Sequence, residues 1–178
     1  MKITKEFLKE KDACNEGFRW FCDNFPEGGE YQVVLDALAK ENRADWARWL
    51  IEKVGPANTT LEIETMETET SLFFAGKIIV KGALKVDKWL LAGYGIEAGC
   101  GIEAGLGIKA GSGIKAGEGI EAGCGIKAGY DFGIFAGLRV RISQRKHCAI
   151  ITAKKEPKNI ICGEFVKREG ESNEPSTS

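Results

Sequence analysis

Histidine occurs once in this chain, at position 147, and a single imidazole leaves little means for general acid–base or zinc chemistry. The six cysteines (Cys14, Cys22, Cys100, Cys124, Cys148 and Cys162) show no CxxC spacing, so the common zinc and dithiol redox motifs are absent. Two of them, Cys100 and Cys124, share a position in a repeat but lack a neighbouring His, which leaves no ligand set. No run approaches the roughly 18 apolar residues that cross a bilayer, and the opening MKITKEFLKEK holds no apolar signal-peptide core. Neither sign of charge dominates: 25 Lys and Arg against 26 Asp and Glu leave a net charge of −1, so bulk charge draws the chain to neither nucleic acid nor an anionic membrane. These absences point to a cytoplasmic protein with reduced thiols, without metal, cofactor or membrane contact. An electrostatic partner must meet a local patch.

What is present divides at a change of composition. In residues 1–55, FLKE, EGFRWFCDNF and EYQVVLDALAKENRADWARWLIEKVG place apolar residues three and four apart, the helical period. Three helices are expected, the last segment folding back at Asn42-Arg43. A helical unit this small buries little surface, so its aromatic side chains, Phe18, Trp20, Trp46 and Trp49 among them, form either its core or an exposed partner face. At Gly55-Pro56-Ala57-Asn58 the period breaks. LEIETMETET then alternates like a strand with an acidic outer face of Glu62, Glu64, Glu67 and Glu69.

From residue 95 to 129 one phrase repeats: Gly, Ile, Glu or Lys, Ala, Gly, then a variable residue. Counted in sixes, the aliphatic position begins at Leu72 and runs through Ile78, Leu84, Leu90 and Ile96 to Ile126. It slips by two at Tyr130-Asp131, resumes at Ile134 and fades towards residue 168. A fixed short period marks a solenoid whose coils bury their inner faces on one another. Ile and Ala share one face of a strand and the charge takes the other, while Gly-X-Gly makes a corner at which positive φ costs little. The fold class is therefore α+β: a small N-terminal helical bundle (1–55), a β-solenoid of hexapeptide repeats (61–168), and a polar, disordered tail (169–178).

The outward charges favour two phrases, twelve residues, per coil. Glu97 then stacks on Lys109 and that on Glu121, whereas three phrases would put Glu103 on Glu121 and Lys109 on Lys127. Like charges on adjacent strands cost a few tenths of a kcal/mol.

The strict GI[EK]AG phrase resembles Gly-Ile-Lys/Glu-Ala-Gly repeat proteins of bacteria and prophages. The opening, through Leu8, Ala13-Cys14, Gly17, Trp20-Phe21 and Asp45-Trp46-Ala47-Arg48-Trp49-Leu50, is similar to a short helical module that heads prophage-type proteins. Both resemblances imply a mobile-element origin and an architecture, and neither implies chemistry. The chain is more weakly similar to polymer-forming bactofilins. Hexapeptide acyltransferases follow the aliphatic residue with Gly or Asx, where this chain has a charge, and they need a His base.

Charge is uneven along the solenoid. Residues 139–158 carry Arg139, Arg141, Arg145, Lys146, Lys154, Lys155 and Lys158 against Glu156 alone, a basic end opposite the acidic first strand. The reading is a non-catalytic phage or prophage interaction protein that binds a host protein or complex, with inhibition of a bacterial defence system, as by anti-CRISPR proteins, as its sharpest form. Homo-oligomerisation through the basic end is expected, and that end is where nucleic acid could bind. A self-assembling structural protein is the alternative.

Overall fold

The computed structural model describes residues 1–169. Four helices, not three, make the first unit: α1 (Lys5–Glu10), α2 (Asn15–Asn24), α3 (Tyr31–Lys40) and α4 (Ala44–Val54), beside a short antiparallel pair, β1 (Lys2–Ile3) and β2 (Gly29–Glu30). Thr4 Oγ1 accepts from Phe7 N at 3.2 Å and caps α1. Asn42 adopts φ 56° at the expected turn between α3 and α4, a left-handed position that Asn tolerates.

A parallel β-solenoid follows. Its first side stacks β3 (Thr60–Ile63), β6 (Lys77–Val80), β9 (Ile96–Ala98), β12 (Ile114–Ala116), β15 (Ile134–Phe135) and β17 (Ile160–Cys162). The second stacks β4 (Met66–Thr68), β7 (Leu84–Val86), β10 (Ile102–Ala104), β13 (Ile120–Ala122), β16 (Ile150–Ala153) and β18 (Glu164–Lys167). The third has only β5 (Leu72–Phe74), β8 (Trp89–Ala92), β11 (Gly107–Ala110) and β14 (Gly125–Lys127).

The coil holds three phrases, not two. Ile102 lies beside Ile120, eighteen residues on, and Ile96 beside Ile114 in the same step. The variable residues therefore occupy three corners: Cys100 with Glu118, Leu106 with Cys124, and Ser112 with Tyr130. Glu103 does stack on Glu121 and Lys109 on Lys127, the contacts that charge disfavours. Two groups from outside the repeat soften them, since Glu52 of α4 meets Lys109 at 2.5 Å and Arg168 meets Glu121 at 3.0 Å. Packing outweighs the remainder. Three inward Ile per coil close an axis in which Ile96, Ile102, Ile108, Ile114 and Ile120 are at most 2% exposed, each worth about 1.5–3 kcal/mol.

The repeat glycines serve a different purpose from the one expected. Among the described glycines, positive φ occurs at Gly28, Gly55, Gly137 and Gly163, none of them in the regular phrases. Instead, a Cβ at Gly105, Gly111, Gly117 or Gly123 would collide with the carbonyl oxygen of the residue eighteen places earlier. The second Gly of each phrase is there because successive turns touch through their backbones.

LEIETMETET is not one strand. It supplies β3 and β4 on two sides of the first coil, with Glu64 near the corner. The helices meet that end at its third side. They pack against the third side, where α3 runs beside β5 and α4 reaches β8. There the outward position carries Phe73 and Leu91 in place of a charge, and both are buried in one cluster with the helical core. Gln32 acts as a substitute strand at the free edge of β5: its Nε2 donates to the Phe73 carbonyl at 2.8 Å, and its Oε1 accepts from Ala75 N at 2.9 Å. Burial pushes the Tyr31 phenol above its usual pKa, and its OH donates to the Gly55 carbonyl at 3.2 Å. The tail expected at 169–178 lies outside the described residues apart from Glu169.

Candidate interaction surface

A regular corner needs one variable residue between two glycines. At the corner between β15 and β16 the chain inserts a loop instead, and the register partners Ile120 and Ile151 stand thirty-one residues apart in place of eighteen. Gly137 starts the loop at φ 75°, where a Cβ would meet Ala149. Leu138 N and Arg139 N then donate to the carbonyls of Ala116 and Gly117 at 3.2 and 2.9 Å, so the excursion first runs along the corner of the turn above. Residues 142–144 form a 3₁₀ turn and α5 (Arg145–Cys148) one helical turn, after which Ala149 re-enters the core.

This excursion is basic and apolar together. Leu138 is 52% exposed and Ile142 88%. Arg139, Arg141, Arg145 and Lys146 accompany them along the chain, and no acid occurs between Asp131 and Glu156 in the sequence. Arg139 lies over the glycine corner, with its Cδ within 3.2 Å of where a Gly117 Cβ would stand. Arg145 Nη2 donates to Cys162 Sγ at 2.6 Å, which ties the excursion to β17. His147 and Cys148 sit in this helical turn, not on a strand, and both are exposed.

The sequence grouped these cations with Lys154 and Lys155 as one basic end. The structure separates them. Arg139, Arg141, Arg145 and Lys146 project at the corner between the first and second sides, whereas Lys154 and Lys155 lie at the corner between the second and third, where Lys154 N donates to the Cys124 carbonyl at 3.2 Å. The acidic residues of the first coil are partly neutralised: Glu64 meets Lys81 at 2.6 Å and Glu67 meets Lys85 at 3.4 Å, while Glu62 and Glu69 are exposed. The Glu67 hydrogen bond and charge raise the Lys85 pKa. Glu97 sits between Lys77 and Lys115, at 3.1 and 3.3 Å. Burial opposes its ionisation, but the two lysine hydrogen bonds outweigh that and hold its pKa below the usual value.

Among the aromatics, Trp20, Trp46 and Trp49 line a cavity of about 280 Å³ inside the helical unit, with Phe21 and Leu38 behind them. Arg43 covers Trp46 at 4.5 Å and Trp20 Nε1 donates to Glu41 at 2.9 Å. Phe18 stands outside the cavity with Lys9 over its ring at 5.5 Å. These rings are half-buried, so they are at once core and rim.

Four helices, a short antiparallel pair and an end at Gly55 define that unit. Residues 1–55 match the YdhT N-terminal domain. No curated protein and no solved structure matches the chain. The YdhT-like unit thus ends where the solenoid begins, and the buried contacts at Phe73 and Leu91 belong to residues beyond it. Among the described residues no group of three or more His, Cys, Asp or Glu is placed to hold a metal ion, and no helix is long and apolar enough to cross a membrane.

Sequence reasoning placed the cations of this excursion but missed Leu138 and Ile142 as members of the surface. The signal for the pair was present: a run without acids in which Leu138, Val140 and Ile142 alternate with Arg139 and Arg141, beyond the point where the six-residue count fails.

Proposed function

We propose that this is a non-catalytic binding protein in which a stiff β-solenoid presents one basic excursion to an acidic surface of another protein. The observation that carries the reading is the excursion at 138–148. It carries exposed Leu138 and Ile142 together with Arg139, Arg141, Arg145 and Lys146 in one insertion, on a column whose regular corners are single residues. Exposed apolar side chains beside charge suit a protein interface, with the charges steering encounter. The resemblance of the repeat and of the opening module to prophage-type proteins supports a mobile-element origin. A host partner, in its sharpest form a bacterial defence complex inhibited in the manner of anti-CRISPR proteins, follows from that origin.

Affinity capture from bacterial lysate tests this. The wild type should retain a defined protein that is released by salt and lost when Arg139, Arg141, Arg145 and Lys146 are changed to Glu, with the melting temperature unchanged. Capture of the same protein by that variant overturns the reading.

A second reading, self-assembly, is favoured by the last coil. Ile161 and Val166 are 67% and 45% exposed, on β17 and β18, which end their sheets. Open strand edges invite pairing with another copy. Light scattering that shows a concentration-dependent mass, abolished by Val166→Lys, supports it, and a monomer at every concentration removes it.

A further inference from the structure

The third side of the column stops short. It has four strands where the others have six. Its last strand, β14, meets the next turn at a single bridge, Gly125 opposite Lys155. From Ile126 onward its outer edge has no neighbouring strand among the described residues, and a cavity of about 690 Å³ opens there. Ile126, Ala128, Ile134 and Pro157 give it an apolar floor, while Lys127, Lys155 and Lys158 stand at its rim against Glu156 alone. Lys109, also at the rim, is taken by Glu52, whereas the other three have no ion-pair partner among the described residues. Asn159 Nδ2 donates to the carbonyls of Gly129, Tyr130 and Phe132 at 3.1–3.2 Å, which fixes one wall of the opening.

A free strand edge offers unpaired backbone donors and acceptors, and an extended peptide satisfies them by adding as a strand. An apolar floor takes alternate side chains of such a peptide, and three lysines favour carboxylates on the others. We propose that this gap docks an extended acidic peptide segment of a partner protein, paired to the outer edge of β14. The site lies apart from the basic excursion and does not depend on it.

Fluorescence anisotropy on the full chain tests the proposal with the labelled peptide TVEVETE, blocked at both ends. Saturable binding is expected, weakened by salt and weakened about tenfold or more by Lys127→Glu combined with Lys155→Glu. TVKVKTK should bind at least about tenfold more weakly than TVEVETE, as should TVEPETE, whose proline removes a backbone donor. Arg141→Glu, on the excursion, should leave peptide affinity unchanged, so this site and the excursion are judged separately. Equal binding of the acidic and basic peptides overturns the proposal, as does full binding by the folded double variant. Undiminished binding of the proline peptide leaves charge attraction without strand addition and overturns it too. If a chain ending at Glu169 binds TVEVETE about tenfold more tightly, residues 170–178 of the same chain are the occupant, and a partner segment is ruled out.

Discussion

At the scale of single residues, the repeat's two glycines are not equivalent. A Cβ at Gly111 would strike the Gly93 carbonyl, while one at Gly101 would meet its nearest atom, the Gly119 carbonyl, at 3.5 Å, an ordinary contact. Gly111→Ala should therefore cost about 3 kcal/mol or more by forcing two turns apart, and Gly101→Ala less than about 0.5 kcal/mol. Thermal melting of the two variants checks this, and equal losses would return the glycines to a purely conformational role. The inward and outward positions differ in the same way. Ile114 is fully buried and Lys115 exposed, so Ile114→Ala should cost about 2–5 kcal/mol, against less than about 1 kcal/mol for Lys115→Ala. This much of the fold is legible in the phrase, because a period of two within a strand assigns each side chain to one face. The backbone clash is not, since it arises only between residues eighteen apart.

At the scale of elements, the attachment of α4 to β11 depends on pH. The Lys109 hydrogen bond holds the Glu52 carboxyl below its ordinary value of 4.5 against a smaller opposing effect of burial. A carboxylate with a lowered folded pKa contributes stability that is present above the unfolded value and lost as pH falls through the folded one. The melting temperature should accordingly fall between about pH 5 and pH 3 in the wild type, and fall less in Glu52→Gln. An identical acid response in both would remove this pair from the interface. The site of attachment was readable in part. In SLFFAG and WLLAGYG the outward position holds Phe73 and Leu91 where later phrases hold Glu or Lys, and an apolar residue facing outward from a solenoid needs a cover. The number of phrases per coil was misread because six charges worth tenths of a kcal/mol each were set against an axis that buries three isoleucines per turn. The cations of the excursion were legible as a basic end, but their separation from Lys154 and Lys155 was not, because the inserted length reflects no period at all.

At the scale of the molecule there are two cores, the solenoid axis and a helical core that takes in Phe73 and Leu91, and Gln32 and Glu52 add polar ties between the units. Contacts along the column run between neighbouring turns, so stability should accumulate turn by turn. Doubling residues 100–117 within the chain should raise the midpoint of chemical unfolding and leave the helical unit in place. A lowered midpoint would show that the column is tuned to its present length.

The equivalence of the phrases separates two quantities that most folds lock together, the reach of the column and its azimuth. Eighteen added residues lengthen the axis by one strand spacing, about 4.8 Å, and bring the excursion back to its original bearing relative to the helical unit. Six added residues turn it through one third of a revolution with almost no change in height, and the interior still finds Ile above Ile. Distances between spin labels at positions 48 and 146 should follow that rule, stepping evenly with whole turns and swinging with single phrases. A lineage that gains or loses repeats by slippage would thereby alter the angle between its two exposed features without altering what either is made of.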